Sequence, residues 1–377
     1  MKEKVRFIFV DLLRGWALLV MIEVHVFNVM LLPSLKQTGW FTVLNFINGL
    51  VAPSFLFISG FAFMLSTQNK NEELRKFKFS FWKKLGRIFL ILLAGYSLHL
   101  PILSLRRLVN YYSPDVILRI YNVDILQCIA AGLLILFAAR ILIKSDTWFN
   151  TFTITVFIIT SLIASLVWQI DFGNYFPVLI AAYFSPKYGS LFPLFPWLGF
   201  LFAGAIMCKY YLDSRENNRE EKYIKNIFIS GLVLALLGHV LLSGITPLSF
   251  HMMHPHPLFF FQRLGYVMIL TALCWYYVER RKTTASFVLD VGRESLLVYW
   301  LHLQIIYRKI INGNNLSSIY GGTFDVLEAV VATILLAILM IITAKYWGMF
   351  KKKYRTLVSN LTLGLVSLCI IIFLIGF

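Results

Sequence analysis

The stretch "VDLLRGWALLVMIEVHVF" (residues 10–27) decides the fold. With its apolar flanks it forms a run over 7–31, longer than the ~20 residues a helix needs to cross a bilayer. Yet it keeps Asp11, Arg14, Glu23 and His25. A charge at the bilayer centre costs roughly 2.5–3.5 kcal/mol, so such groups face a protein interior, a wet cavity or a reaction.

The rest of the chain settles the class. Of its 377 residues, 59% are hydrophobic and 14% charged, and the mean hydropathy is +0.75. A soluble domain would carry about 25% charged residues. Long apolar runs in a bilayer pair their own backbone groups only as helices, and the short alternating segments of an outer-membrane barrel are absent. The expectation is an all-α polytopic membrane protein with one transmembrane domain over 1–377. Spanning runs fall at 7–31, 41–66, 86–104, 123–143, 149–169, 189–211, 225–243, 258–278, 285–306, 324–345 and 356–377, which makes eleven helices. The first run is too long for a signal-peptide core and has no small-residue cleavage site. The connections 105–122 and 170–188 have room for short interfacial helices but not for a domain.

Lysine and arginine orient the chain. The N-terminus and alternate connections hold 25 of the 35 basic residues, and the opposite connections hold 7. The positive-inside rule makes the N-terminus cytoplasmic and the C-terminus external. The net charge of +17 is explained by this asymmetry rather than by nucleic acid. Cys128, Cys208, Cys274 and Cys369 lie far apart in apolar segments, which argues against a disulfide framework or zinc site. They read as small buried apolar residues.

A helix advances about 100° per residue, so with Arg14 at zero, His25 lies at about 20°, Asn28 at about −40° and Asp11 at about 60°. These four form one stripe, with Arg14 and His25 roughly 16 Å apart along the axis. Glu23 falls on the opposite face and needs a structural partner of its own. A salt bridge is the ordinary reading of Asp11 and Arg14, and a buried histidine bonded to a carbonyl that of His25. A face shared with Arg14 and Asn28 inside a membrane favours function for His25.

Further along, "VGRESLLVYWLHLQ" (291–304) puts Ser295, Tyr299 and His302 on one face, with Arg293 and Glu294 at the cytoplasmic entrance. In "FFFQRLGYV" (259–267) Arg263 either snorkels outward or meets Glu23. Asp124 and Gln127, one turn apart in "NVDILQCIAA" (122–131), read as interhelical hydrogen bonders. His251, His254 and His256 in "SFHMMHPHPLFF" (249–260) match no common ligand spacing, so no metal is expected.

An arginine, ten residues and a histidine on a first membrane helix is also the pattern of membrane acyltransferase type 3 proteins. More closely, the chain resembles the heparan-α-glucosaminide N-acetyltransferase-like family of the transmembrane acyltransferase superfamily. The resemblance is carried by "VDLLRGWALLVM" (10–21), "APSFLFISGFAF" (52–63), "DILQCIA" (124–130), "LFPLFPWLGFLFAGAIM" (191–207) and "VGRESLLVYWLH" (291–302), in the family's order. It implies an eleven-helix fold, cytoplasmic acetyl-CoA as donor without a metal, and an acceptor across the membrane, an amino sugar in the lysosomal enzyme. In that enzyme the position matching His25 looks like asparagine and a histidine follows in the first luminal loop. Loop 32–41 here has no histidine, so His25 itself becomes the candidate base, and the acceptor stays open between amino sugars and other glycan-type molecules.

Acetyl-CoA brings phosphates, a thin pantetheine arm and a thioester. Lys83, Lys84, Arg87 and Arg293 suit a cytoplasmic mouth for the phosphates. Arg14 and Arg293 are the stronger pair, because topology alone accounts for the loop lysines. His25, an imidazole with an ordinary pKa near 6.5, suits the removal of a proton from an attacking amine or hydroxyl, or a transient acetyl-histidine. Asn28 and Tyr299 would orient the acceptor or support the oxyanion, and His302 offers a second proton route. The rival reading is a transporter or exporter using the same polar residues, against which stands the lack of an inverted repeat. The expected setting is a bacterial cytoplasmic membrane; no dimer motif stands out, and a homodimer stays open.

Overall fold

The computed structural model describes residues 7–67, 71–242, 255–282, 285–309 and 313–376. The protein is all-α and polytopic, with no named strand among the described residues. The principal helices are α1 (Ile8–Met30), α2 (Gly39–Asn48), α3 (Val51–Thr67), α4 (Phe79–His99), α5 (Ile125–Leu142), α6 (Asp146–Leu162) and α7 (Leu194–Glu216). They are followed by α8 (Glu220–Val240), α9 (Pro257–Arg281), α10 (Phe287–Arg293), α11 (Ser295–Tyr307), α12 (Val326–Lys353) and α13 (Arg355–Ile375). Seven described spans are long and apolar enough to cross a membrane: Gly39–Thr67, α5, α7, α8, α9, α12 and α13. Outside that set, α1 and α4 are of similar length, at 23 and 21 residues.

Each expected run coincides with a helix or a broken pair, and the departures have local causes. The run 41–66 breaks after Asn48 because Pro53 lacks an N–H and its ring would strike the carbonyl four residues back, at Gly49. Restarted at Val51, the helix holds the proline in its first turn, where it is tolerated. The run 86–104 ends at His99, since the residue before Pro101 is pushed out of helical geometry. It begins early, at Phe79, so Lys83 and Lys84 lie within the helix rather than ahead of it. The run 285–306 breaks at Glu294, whose φ/ψ of −106/32 leave the helical region. The connection 105–122 holds two short helices, Leu105–Tyr111 and Pro114–Ile120. Cys128 and Cys208 are buried as expected, but Cys369 is exposed on α13, where little of the helix is covered.

The chain packs as two compact units. The first comprises Met1–Val51, Leu98–Ile120 and Thr283–Phe377. Within it α1 lies against α10, α11 and α12. Val26, Phe27, Met30, Leu31, Phe41, Ile306 and Ala329 form a core around the far end of α1. Backbone bonds fasten that end: Leu32 N–H donates to Phe324 O at 2.9 Å and Phe324 N–H to Met30 O at 2.8 Å. At the other end, a Cβ on Gly15 would meet the Val288 carbonyl at 2.0 Å, and one on Gly292 the Asp11 carbonyl at 2.0 Å. The "RG" of α1 and the "GR" of α10 are therefore a backbone-to-backbone crossing, the close approach that small residues give membrane helices.

The second unit comprises Ala52–Ser97 and Tyr121–Lys282. Here α3 meets α7 in the same way: a Cβ on Gly60 would lie 1.8 Å from the Leu201 carbonyl, and one on Gly204 1.9 Å from that of Phe57. The other main contacts are α8 with α9, and α7 with α6 and α5.

Candidate active site

In the first unit, the helical stripe of α1 meets the far half of α11. His25 Nδ1 and Tyr307 Oη are 3.2 Å apart, with the two rings edge-on and centroids separated by 5.9 Å. His302 lies beside His25, its ring centroid 5.4 Å away, and Tyr299 meets His302 edge-on at 5.8 Å. The sequence spacing thus leads to a real cluster: His25, Tyr299 and His302 come together, and Tyr307 joins them.

The chemistry of His302 is constrained. Its Nδ1 is 2.8 Å from the Val298 carbonyl, which can only accept, so Nδ1 carries the hydrogen. Its Nε2 is buried and meets no hydrogen-bonding group among the described residues. In the neutral ring that nitrogen is a buried lone pair. Asn28 belongs to the same helix but its side chain is exposed, and its carbonyl accepts from Lys36 Nζ at 2.6 Å. Glu23, expected on the opposite face, is met by Asn48 Nδ2 at 3.3 Å.

At the Gly15–Gly292 crossing, Arg14 is half-buried and 3.5 Å from Asp11. Arg293 is 3.7 Å from Asp290, and Glu294 binds Lys351 at 2.6 Å. Two guanidinium groups thus flank one crossing, each with a carboxylate one turn away.

In the second unit, Lys84 donates to Ser66 Oγ at 2.5 Å and lies over the Phe63 ring, while Lys83 and Arg87 are exposed. Asp124 stands at the N-cap of α5, where the helix dipole favours a carboxylate. Gln127 is fully buried, but neither its Oε1 nor its Nε2 meets a hydrogen-bonding group among the described residues, so the expected interhelical bond is not made. Its amide lies instead against Gly95, where a Cβ would be 2.8 Å from Gln127 Oε1. Arg263 is buried, its guanidinium 4.2 Å over the Phe259 ring, rather than reaching for the interface.

Of the three loop histidines, His251 and His254 lie outside the described residues. His256 caps α9 by accepting from Leu258 N–H at 3.1 Å. No group of three or more histidine, cysteine, aspartate or glutamate side chains that could hold a metal occurs among the described residues.

Two residues escaped the sequence reading. Tyr307 ends α11 and has the signature of an interfacial belt tyrosine, 282 positions along the chain from His25. Asn48 carries no charge and closes α2. An unaccounted Glu23 was the only signal pointing to it.

Comparison with known families identifies the chain's relatives. A family model described as heparan-alpha-glucosaminide N-acetyltransferase, catalytic, covers residues 6–255 of the 377. That range contains α1 and the helices up to α8; α9 to α13, with Tyr299, His302 and Tyr307, follow it. No curated protein matches the chain.

Proposed function

This chain belongs to the heparan-alpha-glucosaminide N-acetyltransferase catalytic family, and we propose that it passes an acetyl group from cytoplasmic acetyl-CoA to an amino sugar or other glycan-type acceptor outside. The family makes it a membrane-embedded enzyme of the acetyltransferase type. The observation that carries the finer reading is the placement of His25 against His302 and Tyr307, on a helix whose other end holds Arg14.

In this reading the stripe of α1 is the route from donor to acceptor. Arg14 and Arg293 meet the phosphates of the donor, with Lys83, Lys84 and Arg87 contributing positive charge on the same side of the membrane. The acceptor amine or hydroxyl attacks the thioester carbonyl while His25 takes its proton. The C–S bond breaks, and the thiolate leaves with CoA. Asn28 and Tyr299 orient the acceptor or support the oxyanion, and His302 offers a second proton route through Nε2. Formation of an acetyl-His25 followed by transfer to the acceptor uses the same groups. The basic asymmetry of the loops supports a cytoplasmic N-terminus and an external C-terminus, and the proposed setting is a bacterial cytoplasmic membrane.

Proteoliposomes given labelled acetyl-CoA on one side and a panel of amino sugars and glycan fragments on the other test the proposal. Release of CoA coupled to labelling of an acceptor across the membrane is the expected result. Movement of an acceptor without acetylation would refute it and mark a transporter.

A further inference from the structure

We propose that Lys351 is a positioning residue of the donor site, which pairs with the Glu294 carboxylate and so keeps its charge from opposing the donor's phosphates. The inference rests on the reading of Arg14 and Arg293 as the groups that meet those phosphates. Its geometry is independent of that reading: Lys351 Nζ lies 2.6 Å from Glu294 Oε2, 57 positions away along the chain.

Glu294 stands where the run 285–306 breaks, directly after Arg293 and at the N-cap of α11. An acidic side chain at a helix start is ordinarily drawn to the first N–H groups there. That of Glu294 makes no cap bond and lies along α12 instead. A Cβ on Gly348 would be 3.8 Å from Glu294 Oε1, and Lys351, one turn further on, takes Oε2. The Glu294 side chain is only 10% exposed, whereas that of Lys351 is 46% exposed. The carboxylate is therefore largely withdrawn from water, and its charge is met by a lysine that stands half in solvent.

This arrangement bears on the donor because a phosphate drawn to Arg293 approaches the residue next to Glu294. An unpaired carboxylate there would repel it, and a charge removed from water is poorly screened. Arg14 and Arg293 each stand beside a carboxylate one turn away on the same helix. Glu294 is matched from another element, by Lys351. A lysine in the last turn of a helix also complements the helix dipole, a role that Lys352 and Lys353 share and that does not involve Glu294. The two roles differ in what Glu294→Gln should do.

The test is the affinity of the full-length protein in detergent for CoA, which carries the donor's phosphates without the acetyl group, measured calorimetrically at low and high salt. Lys351→Met should bind CoA about 3- to 10-fold more weakly, the effect of one uncompensated charge near another, and the deficit should shrink at high salt. Glu294→Gln removes the carboxylate and releases Lys351 toward the phosphates, so it should bind CoA more tightly than wild type. Glu294→Gln/Lys351→Met should return close to the wild-type affinity. In turnover, Lys351→Met should raise the KM for acetyl-CoA more than it lowers kcat. Unchanged or weaker CoA binding by Glu294→Gln overturns the inference and leaves the pair a brace of the fold; this variant decides alone should Lys351→Met not fold. A wild-type protein that binds no CoA overturns the donor reading, and the inference with it.

Discussion

In the proposed reading His25 carries two demands at once: it must be tolerated in a long apolar helix, and it must keep a nitrogen able to take a proton. Tyr307 and His302 meet the first by surrounding the ring with a hydroxyl and a second imidazole. The same neighbours bear on the second. Gln127 is a contrasting case, a buried amide whose two polar atoms meet no hydrogen-bonding group among the described residues. A group buried in that way costs about 1–3 kcal/mol. Gln127→Met, close in volume and apolar, is expected to raise the apparent melting temperature in detergent; a fall would show that the amide has a partner. At this scale the sequence was informative wherever one helix was enough. The 100° arithmetic placed Glu23 away from Asp11, Arg14 and His25, and α11 did align Tyr299 with His302. It could not reveal Tyr307 or Asn48, because each meets its target from another helix and neither stands out among apolar neighbours.

Elements are fixed by prolines and by glycine crossings. Pro53 and Pro101 stop helices where a hydropathy window runs on, since the window counts apolar side chains and ignores a missing N–H. The crossings were invisible in the same way: a glycine is ordinary in a membrane helix until its partner is known. Gly60 leaves no room for a side chain against the Leu201 carbonyl. Overpacking typically costs about 1–3 kcal/mol, and here the obstacle is backbone. Gly60→Leu should therefore abolish a monodisperse peak on size exclusion, whereas Gly86→Ala, with open space around its Cβ position, should leave it intact. The connection after α6 offers a pH prediction. The Tyr188 hydroxyl, with the Gly173 N–H and nearby Lys187, holds the Asp171 carboxyl below the usual carboxylate range. A depressed carboxylate contributes stability above its unfolded pKa and loses it as pH falls through the lower folded value. Hydrogen-exchange protection of residues 170–188, corrected for the intrinsic pH dependence of amide exchange, should be unchanged between pH 7 and 5 and fall under more acidic conditions; protection that falls on going from pH 5 to 7 would contradict the sign.

For the whole molecule, composition alone gave an all-α polytopic protein, because 59% hydrophobic residues in long runs leave a bilayer few alternatives. The division into two compact units was not legible, since each is assembled from segments distant in sequence. The outermost coverage was equally hidden: α12 and α13 are the most apolar spans yet are barely buried, which suits contact with lipid. The proposed topology can be checked with single cysteines in a background lacking the four native ones. A cysteine at Ser80 should react with a membrane-impermeant maleimide only from the cytoplasmic side, and one at Ser317 only from outside; the reverse pattern would invert the orientation. The central claim is acetyl transfer with His25 as the proton acceptor or acetyl carrier. It is tested most directly by the single-turnover rate of acetyl transfer in proteoliposomes, wild type against His25→Ala. A positioned base contributes about 10²–10⁴-fold, so a loss of that size in a folded variant is predicted; transfer by His25→Ala at the wild-type rate would contradict the account.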